Sequence, residues 1–345
     1  MAHITSQDAI QSITGAVNNL LLGENDDSEH TSTNNEPFDL KPIDVVVTRI
    51  MLTKGMKLPP SVVDVIFDFA EYWAHSRNEI DYAANHQSHL RVNGGSASEN
   101  RFLLRSFPVG ITGIEGKRDL AEVLAYDTNE AKPRPLGKEH DPSFFAKLVD
   151  YPTPKLLHPV RKVVFSIRSK DQGWGGEREH HHTYQGSWTW FEAGLERFDA
   201  EQTCDPSCTY DVRFKSSSSK EPPLPVCGLR PLYPSIVPEE ENDESKFKYS
   251  HPLFRQDKWT IKGNLTAHRQ WQDHVVTWSW TDDIRPDTEA AEKLDHDEGR
   301  GKETGDGWFV KNLKLGDVIT VWAKARFGGW ANHVDSVKID VYWAV

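Results

Sequence analysis

Residues able to do chemistry gather in four places along this chain. Glu179, His180, His181 and His182 form the densest set of potential metal ligands. Three consecutive histidines on an extended segment point to alternating sides, so only His180 and His182 could share an ion directly. Cys204 and Cys208 make a CxxxC, with Cys227 well downstream, whereas zinc sites show paired short spacings. Both sets read better as polar loop than as metal site. Asp282 and Asp283 follow a tryptophan-rich run and could flank a sugar, as paired acids do in glycosidases. Adjacent acids at the mouth of an acidic stretch are more simply a solvated strand end. The chain has no G-x-S-x-G, no H-E-x-x-H and no P-loop. These observations point to no catalytic residue, no metal and no cofactor, with a carbohydrate-active hydrolase as the alternative.

The fourth place is aromatic. Gly328 and Gly329 allow a sharp turn that would expose Trp330, Asn332 and His333 at one end of a sheet. Aromatic rings stack on sugar faces and anchor protein partners, so these three are the leading ligand-binding candidates, with Trp322 and Arg326 on the preceding strand.

The elements that must position them are mostly strands. RKVVFSIRS puts Val163, Phe165 and Ile167 on one face, and HVVTWSW does the same for His274, Val276, Trp278 and Trp280. Near the end, Ile319, Val321, Ala323, Ala325 and Phe327 alternate with Thr320, Trp322, Lys324 and Arg326. Val337, Ile339, Val341, Trp343 and Val345 then alternate with Lys338, Asp340, Tyr342 and Ala344. The expectation is two half-buried strands of an antiparallel sheet, each with one core face. Eleven of the twelve tryptophans lie beyond residue 170, which places the main core there.

Upstream, Val62, Ile66, Phe69, Ala70 and Trp73 recur at helical spacing beside Val63 and Phe67, with Ser61 and Asp64 at capping-box spacing after Pro60. The expected organisation is a disordered tail over 1–37 with one short amphipathic stretch (Ile10, Ile13, Val17, Leu20, Leu21), a helical module over 38–115 and a connector over 116–160. A β-sandwich follows over 161–345, with polar insertions at about 200–250 and 282–306.

Composition narrows the partners. A net charge of -12 without clustered Lys and Arg argues against nucleic acid and anionic membrane surfaces. No run approaches the roughly 20 apolar residues of a spanning helix. The N-terminus lacks the pattern of a secretory signal, which suggests an intracellular protein, cytoplasmic or nuclear.

Two stretches carry a resemblance. "DHVVTWSWTDD", "LKLGDVITVWAKARFGGWANHV" and "VKIDVYWAV" resemble the end of a galactose-binding-like jelly-roll sandwich, the type also used by F-box-associated lectin domains. "KLPPSVVDVIFDFAEYW" resembles the first helix of an F-box, and the combination is similar to filamentous-fungal proteins that pair such a helix with a Trp-rich sandwich. The resemblance implies a mainly β fold with a small helical N-terminal module (F-box-like helix 58–73), and a non-catalytic protein whose sandwich binds a protein or glycan. It further implies a ubiquitin-ligase substrate receptor, in which Val63, Phe67 and Trp73 would dock a cullin-type ligase adaptor. A structural scaffold subunit is a further alternative.

Overall fold

The computed structural model describes residues 40–86, 88–111, 129–148, 154, 156–202, 224, 226–240 and 243–345. The 1–37 tail and the Cys204–Cys208 pair lie outside the described residues. In chain order the strands are β1 (Ala74–Asp81), β2 (Leu90–Asn93), β3 (Asn100–Arg105), β4 (Val160–Lys170), β5 (Thr189–Phe198) and β6 (Leu229–Tyr233). They continue with β7 (Ser235–Glu240), β8 (Asp243–Ser250), β9 (Thr260–Gly263), β10 (Gln272–Ser279), β11 (Val318–Ala325) and β12 (Ala331–Trp343).

Two antiparallel sheets face each other across one apolar core, giving a β-sandwich. The first runs β1-β12-β4-β10, with β2 continuing the β1 edge along β12. The second runs β3-β11-β5-β6, with β9 pairing with the start of β5. In the first sheet Val337, Ile339 and Val341 lie opposite Ile167, Phe165 and Val163, and Val276 and Trp278 lie opposite Phe165 and Val163. The second sheet contributes Ile319, Val321, Ala323 and Ala325 with Phe191 and Ala193. Trp278 packs edge-on against Phe165 and Phe309, with ring centroids 5.1 and 5.0 Å away. The two final strands therefore do not share a sheet as expected: they lie in different sheets, and the Phe327–Trp330 turn crosses from one to the other.

Several expectations are corrected by long-range packing. The sandwich begins at Ala74, because β1, β2 and β3 belong to its sheets. The helices Pro42–Ile50 and Pro60–Phe69, with the π-helical turn Met51–Gly55 that follows the first, pack on it through Val45, Leu52, Val63 and Phe67, which join the sandwich core. Pro60 opens the second helix at N1 and no side chain caps it, while Asp64 instead pairs with Arg49 at 2.5 Å. Val63, Phe67 and Trp73 are buried, so they are not presented to a partner.

Stretch 282–306 is not a loose insertion. Thr288 caps the helix Glu289–His296, which buries Ala291 and Leu294, and Asp295 accepts a hydrogen bond from Arg255 at 2.6 Å. Two apolar residues are too few to show a helical period in so acidic a stretch. Beyond residue 224 the first insertion likewise supplies β6 and the β7–β8 hairpin.

Candidate functional site

One end of the sandwich gathers the loops after β4, after β9 and between β11 and β12, together with the turn after β2 and the segment after β8. Trp174, Phe254 and Phe327 are 59%, 60% and 46% exposed there, with Trp188 and Trp330 half-buried between them. Trp188 meets Phe327 edge-on at 4.6 Å and Phe254 at 5.8 Å. The Trp174 ring lies 3.2 Å from where a Cβ on Gly329 would stand, and the Trp330 ring lies 3.6 Å from the same position on Gly176. Five aromatic rings thus share one loop end, three of them largely open to solvent.

Buried and half-buried hydrogen bonds tie these loops together. Asp171 is buried and accepts from the backbone N–H groups of Gly173 (2.7 Å), Ala267 (2.6 Å) and His268 (2.9 Å), joining the Trp174 loop to the one after β9. Burial pushes its carboxyl up to about 6, against the opposing pull of those three donors. Gln172 accepts from Ala331 N–H at 3.0 Å and donates to the Trp174 carbonyl, tying the loop to β12. Arg326 donates to the Ala325 carbonyl, to Asn100 Oδ1 and to the Pro252 carbonyl, each at 2.8 Å, and so fixes the approach to Phe254.

The turn carrying Phe327 is strained. Phe327 has φ 63, in the left-handed region that bulky residues avoid, and Gly329 has φ 96. Gly94 packs backbone to backbone beneath it, its N–H donating to the Trp330 carbonyl at 2.9 Å. A Cβ on Gly94 would lie 2.3 Å from the Phe327 carbonyl oxygen. The strain turns an aromatic ring outward where strand alternation would have sent it into the core.

Beside the rings lies a basic group. The His333 and His89 rings approach at 2.9 Å between Nδ1 and Nε2; His89 sits edge-on to Trp271, and Lys170 Nζ lies 4.6 Å over the Trp271 ring. Burial, then His89, Arg91 and Lys170, press the His333 imidazole down to about 4, so it is neutral at physiological pH.

The sequence candidates divide. Trp330 and His333 belong to this end. Asn332 is fully buried: its amide donates to the carbonyls of Trp190 (3.1 Å) and Lys324 (3.2 Å), and its Oδ1 accepts from Asn264 at 3.0 Å. It ties the two sheets together and offers a ligand nothing. Trp322 and Arg326 are buried as well, because the outer face of β11 is covered instead of solvated. Beneath that cover Glu192 accepts from Trp190 Nε1 (2.7 Å) and Tyr233 OH (3.0 Å), with Lys324 Nζ at 3.5 Å from it and 2.6 Å from His251 Nδ1. Burial lowers Lys324 to about 8 and His251 to about 3, and raises Tyr233. Glu192 and Lys324 are wholly enclosed, so the group locks the fold.

The histidine run also resolves. His180 approaches Glu177 and Glu179, their ligand atoms within 4.8 Å of one another, while His182 adopts φ 64 and turns its ring to His268 at 5.2 Å. His180 and His182 therefore do not converge. Asp282 accepts from Ser279 N–H at 2.9 Å, where β10 ends, at the opposite end of the sandwich from the aromatic loops. The acid pair does not line the aromatic surface. Trp174, Phe254 and Phe327 were missed; DQGWGG, a tryptophan among glycines directly after a strand, was the available signal.

No family description, curated protein or solved structure matches the chain. No helix among the described residues is long and apolar enough to cross a membrane.

Proposed function

We propose that this is a non-catalytic binding protein whose sandwich recognises a protein or glycan ligand through the aromatic loop end. The sandwich is read as the galactose-binding-like, jelly-roll type, whose loops cluster at the ends of the sheets. The observation that carries the proposal is the exposure of Trp174, Phe254 and Phe327 on loops otherwise pinned by buried hydrogen bonds. Loops already tied in place lose less entropy on binding than free ones. Backbone strain at an exposed phenylalanine further favours a functional surface over simple packing. The hydrolase alternative loses support, since Asp171 is engaged by three backbone donors and Asp282 lies at the far end. The substrate-receptor form also loses its anchors, because Val63, Phe67 and Trp73 are in the core.

The test is a combined glycan and peptide array probed with the intact protein and with a Trp174→Ala, Phe327→Ala variant. A defined ligand class bound by the first and lost by the second is expected. Equal binding by both would move the site elsewhere.

A further inference from the structure

The two N-terminal helices bury one side only. Opposite the core-facing Val45 and Leu52, the residues Ile43, Val47, Ile50 and Met51 form an exposed apolar row at i, i+4, i+7 and i+8. On the second helix Val62, Val65 and Phe69 are exposed at i, i+3 and i+7, Phe69 to 71%. The Arg49–Asp64 pair holds the helices side by side, and exposed Met56 lies in their connection. Isolated exposed apolar residues are ordinary, but two helical rows of them mark a surface built to be covered.

We propose that this face is covered by residues 10–27 of the same chain. Three observations select that occupant. Ile10, Ile13, Val17, Leu20 and Leu21 recur at i, i+3, i+7, i+10 and i+11, an apolar stripe of the kind that fills a groove between two helices. Glu24, Asp26 and Asp27 follow it, while the connection between the two helices presents exposed Lys54 and Lys57. The link from residue 22 to residue 39 can span up to roughly 60 Å when extended, ample for the stripe to reach a face beginning at Ile43. The covered face is separate from the aromatic loop end, so the inference stands apart from the binding reading.

Carbodiimide cross-linking of the full chain, with peptide mass spectrometry of the monomer band, tests it. Amide links from Asp26 or Asp27 to Lys54 or Lys57 are expected within one chain. A Leu20→Asp, Leu21→Asp variant should lose them. It should also exchange its 62–69 amides roughly tenfold faster or more, the factor expected when a leucine-sized contact is removed. An unchanged denaturation transition for the sandwich shows that the variant is folded, and Leu20→Ala, Leu21→Ala repeats the measurement with a milder change. Links found only in a dimer band would assign the face to a second copy, and links absent with exchange unaltered would assign it to another partner. Either result overturns the proposal.

Discussion

His274 isolates one source of acid sensitivity in the sandwich. Its side chain points inward from β10, 7% exposed, in register with Ile167 on β4. Nε2 is buried without a hydrogen-bond partner, and burial, reinforced by nearby Lys262 and opposed by Asp273, presses the imidazole from 6.5 down to about 4. The folded pKa is therefore the lower one. Above 6.5 neither state is charged and the full stability is present; as pH falls toward 4 the unfolded chain takes up a proton that the folded chain refuses. Linkage between pH 8 and pH 5 gives a loss of ~2 kcal/mol from this one residue. Leucine at 274 removes the titration while keeping an apolar contact of similar size, so stability at pH 8 should hold or rise slightly. Urea denaturation followed by tryptophan fluorescence at both pH values reads the difference. Wild type should lose about 2 kcal/mol more than His274→Leu over that range. Equal losses would refute the assignment of a buried, neutral His274.

Other expectations follow from single contacts. Asn332→Ala removes three buried hydrogen bonds between the sheets and should cost about 2–4 kcal/mol, measured by the same denaturation. Arg105→Met strands Glu196, which accepts two of its guanidinium bonds at 2.6 and 3.2 Å, and should cost about 3–5 kcal/mol, largely recovered by pairing it with Glu196→Leu. Gly194→Ala would place a Cβ 2.2 Å from Thr320 Oγ1 and 2.8 Å from the Tyr233 carbonyl, so the midpoint of thermal unfolding should fall, with a cost above about 1 kcal/mol. Trp174→Ala, by contrast, should leave stability within about 0.5 kcal/mol, because the ring is mostly in solvent.

Where one strand face meets the core and the other meets water or a thin cover, the sequence was readable. Val163, Phe165 and Ile167, and His274, Val276 and Trp278, alternate as burial does. The rule failed on β11. Thr320, Trp322, Lys324 and Arg326 look like a solvent face, yet all are buried: Glu192 meets Lys324, Asn100 and the Pro252 carbonyl meet Arg326, and Phe102 and Tyr249 cover the Trp322 ring, all from distant parts of the chain. No local pattern announces such partners. On the Pro60–Phe69 helix the stripe was visible but its centre was misplaced: Val63 and Phe67 face the core while Val62 and Phe69 face out. Phe327 was assigned to the core by alternation, and a left-handed backbone conformation turned it outward. Trp330 and His333 were found at the loop end because the paired glycines marked the turn. Trp174 and Phe254 were not, since their neighbours are brought in by the fold.

The proposed binding surface is the loop end carrying Trp174, Phe254 and Phe327. The most direct measurement is retention of array ligands by the wild-type protein and by Trp174→Ala, Phe327→Ala, with matched denaturation curves as the folding control. One ligand class should be retained by wild type and lost by the variant at unchanged stability. A wild type that retains no ligand, or a variant that retains the same ligands, would contradict it.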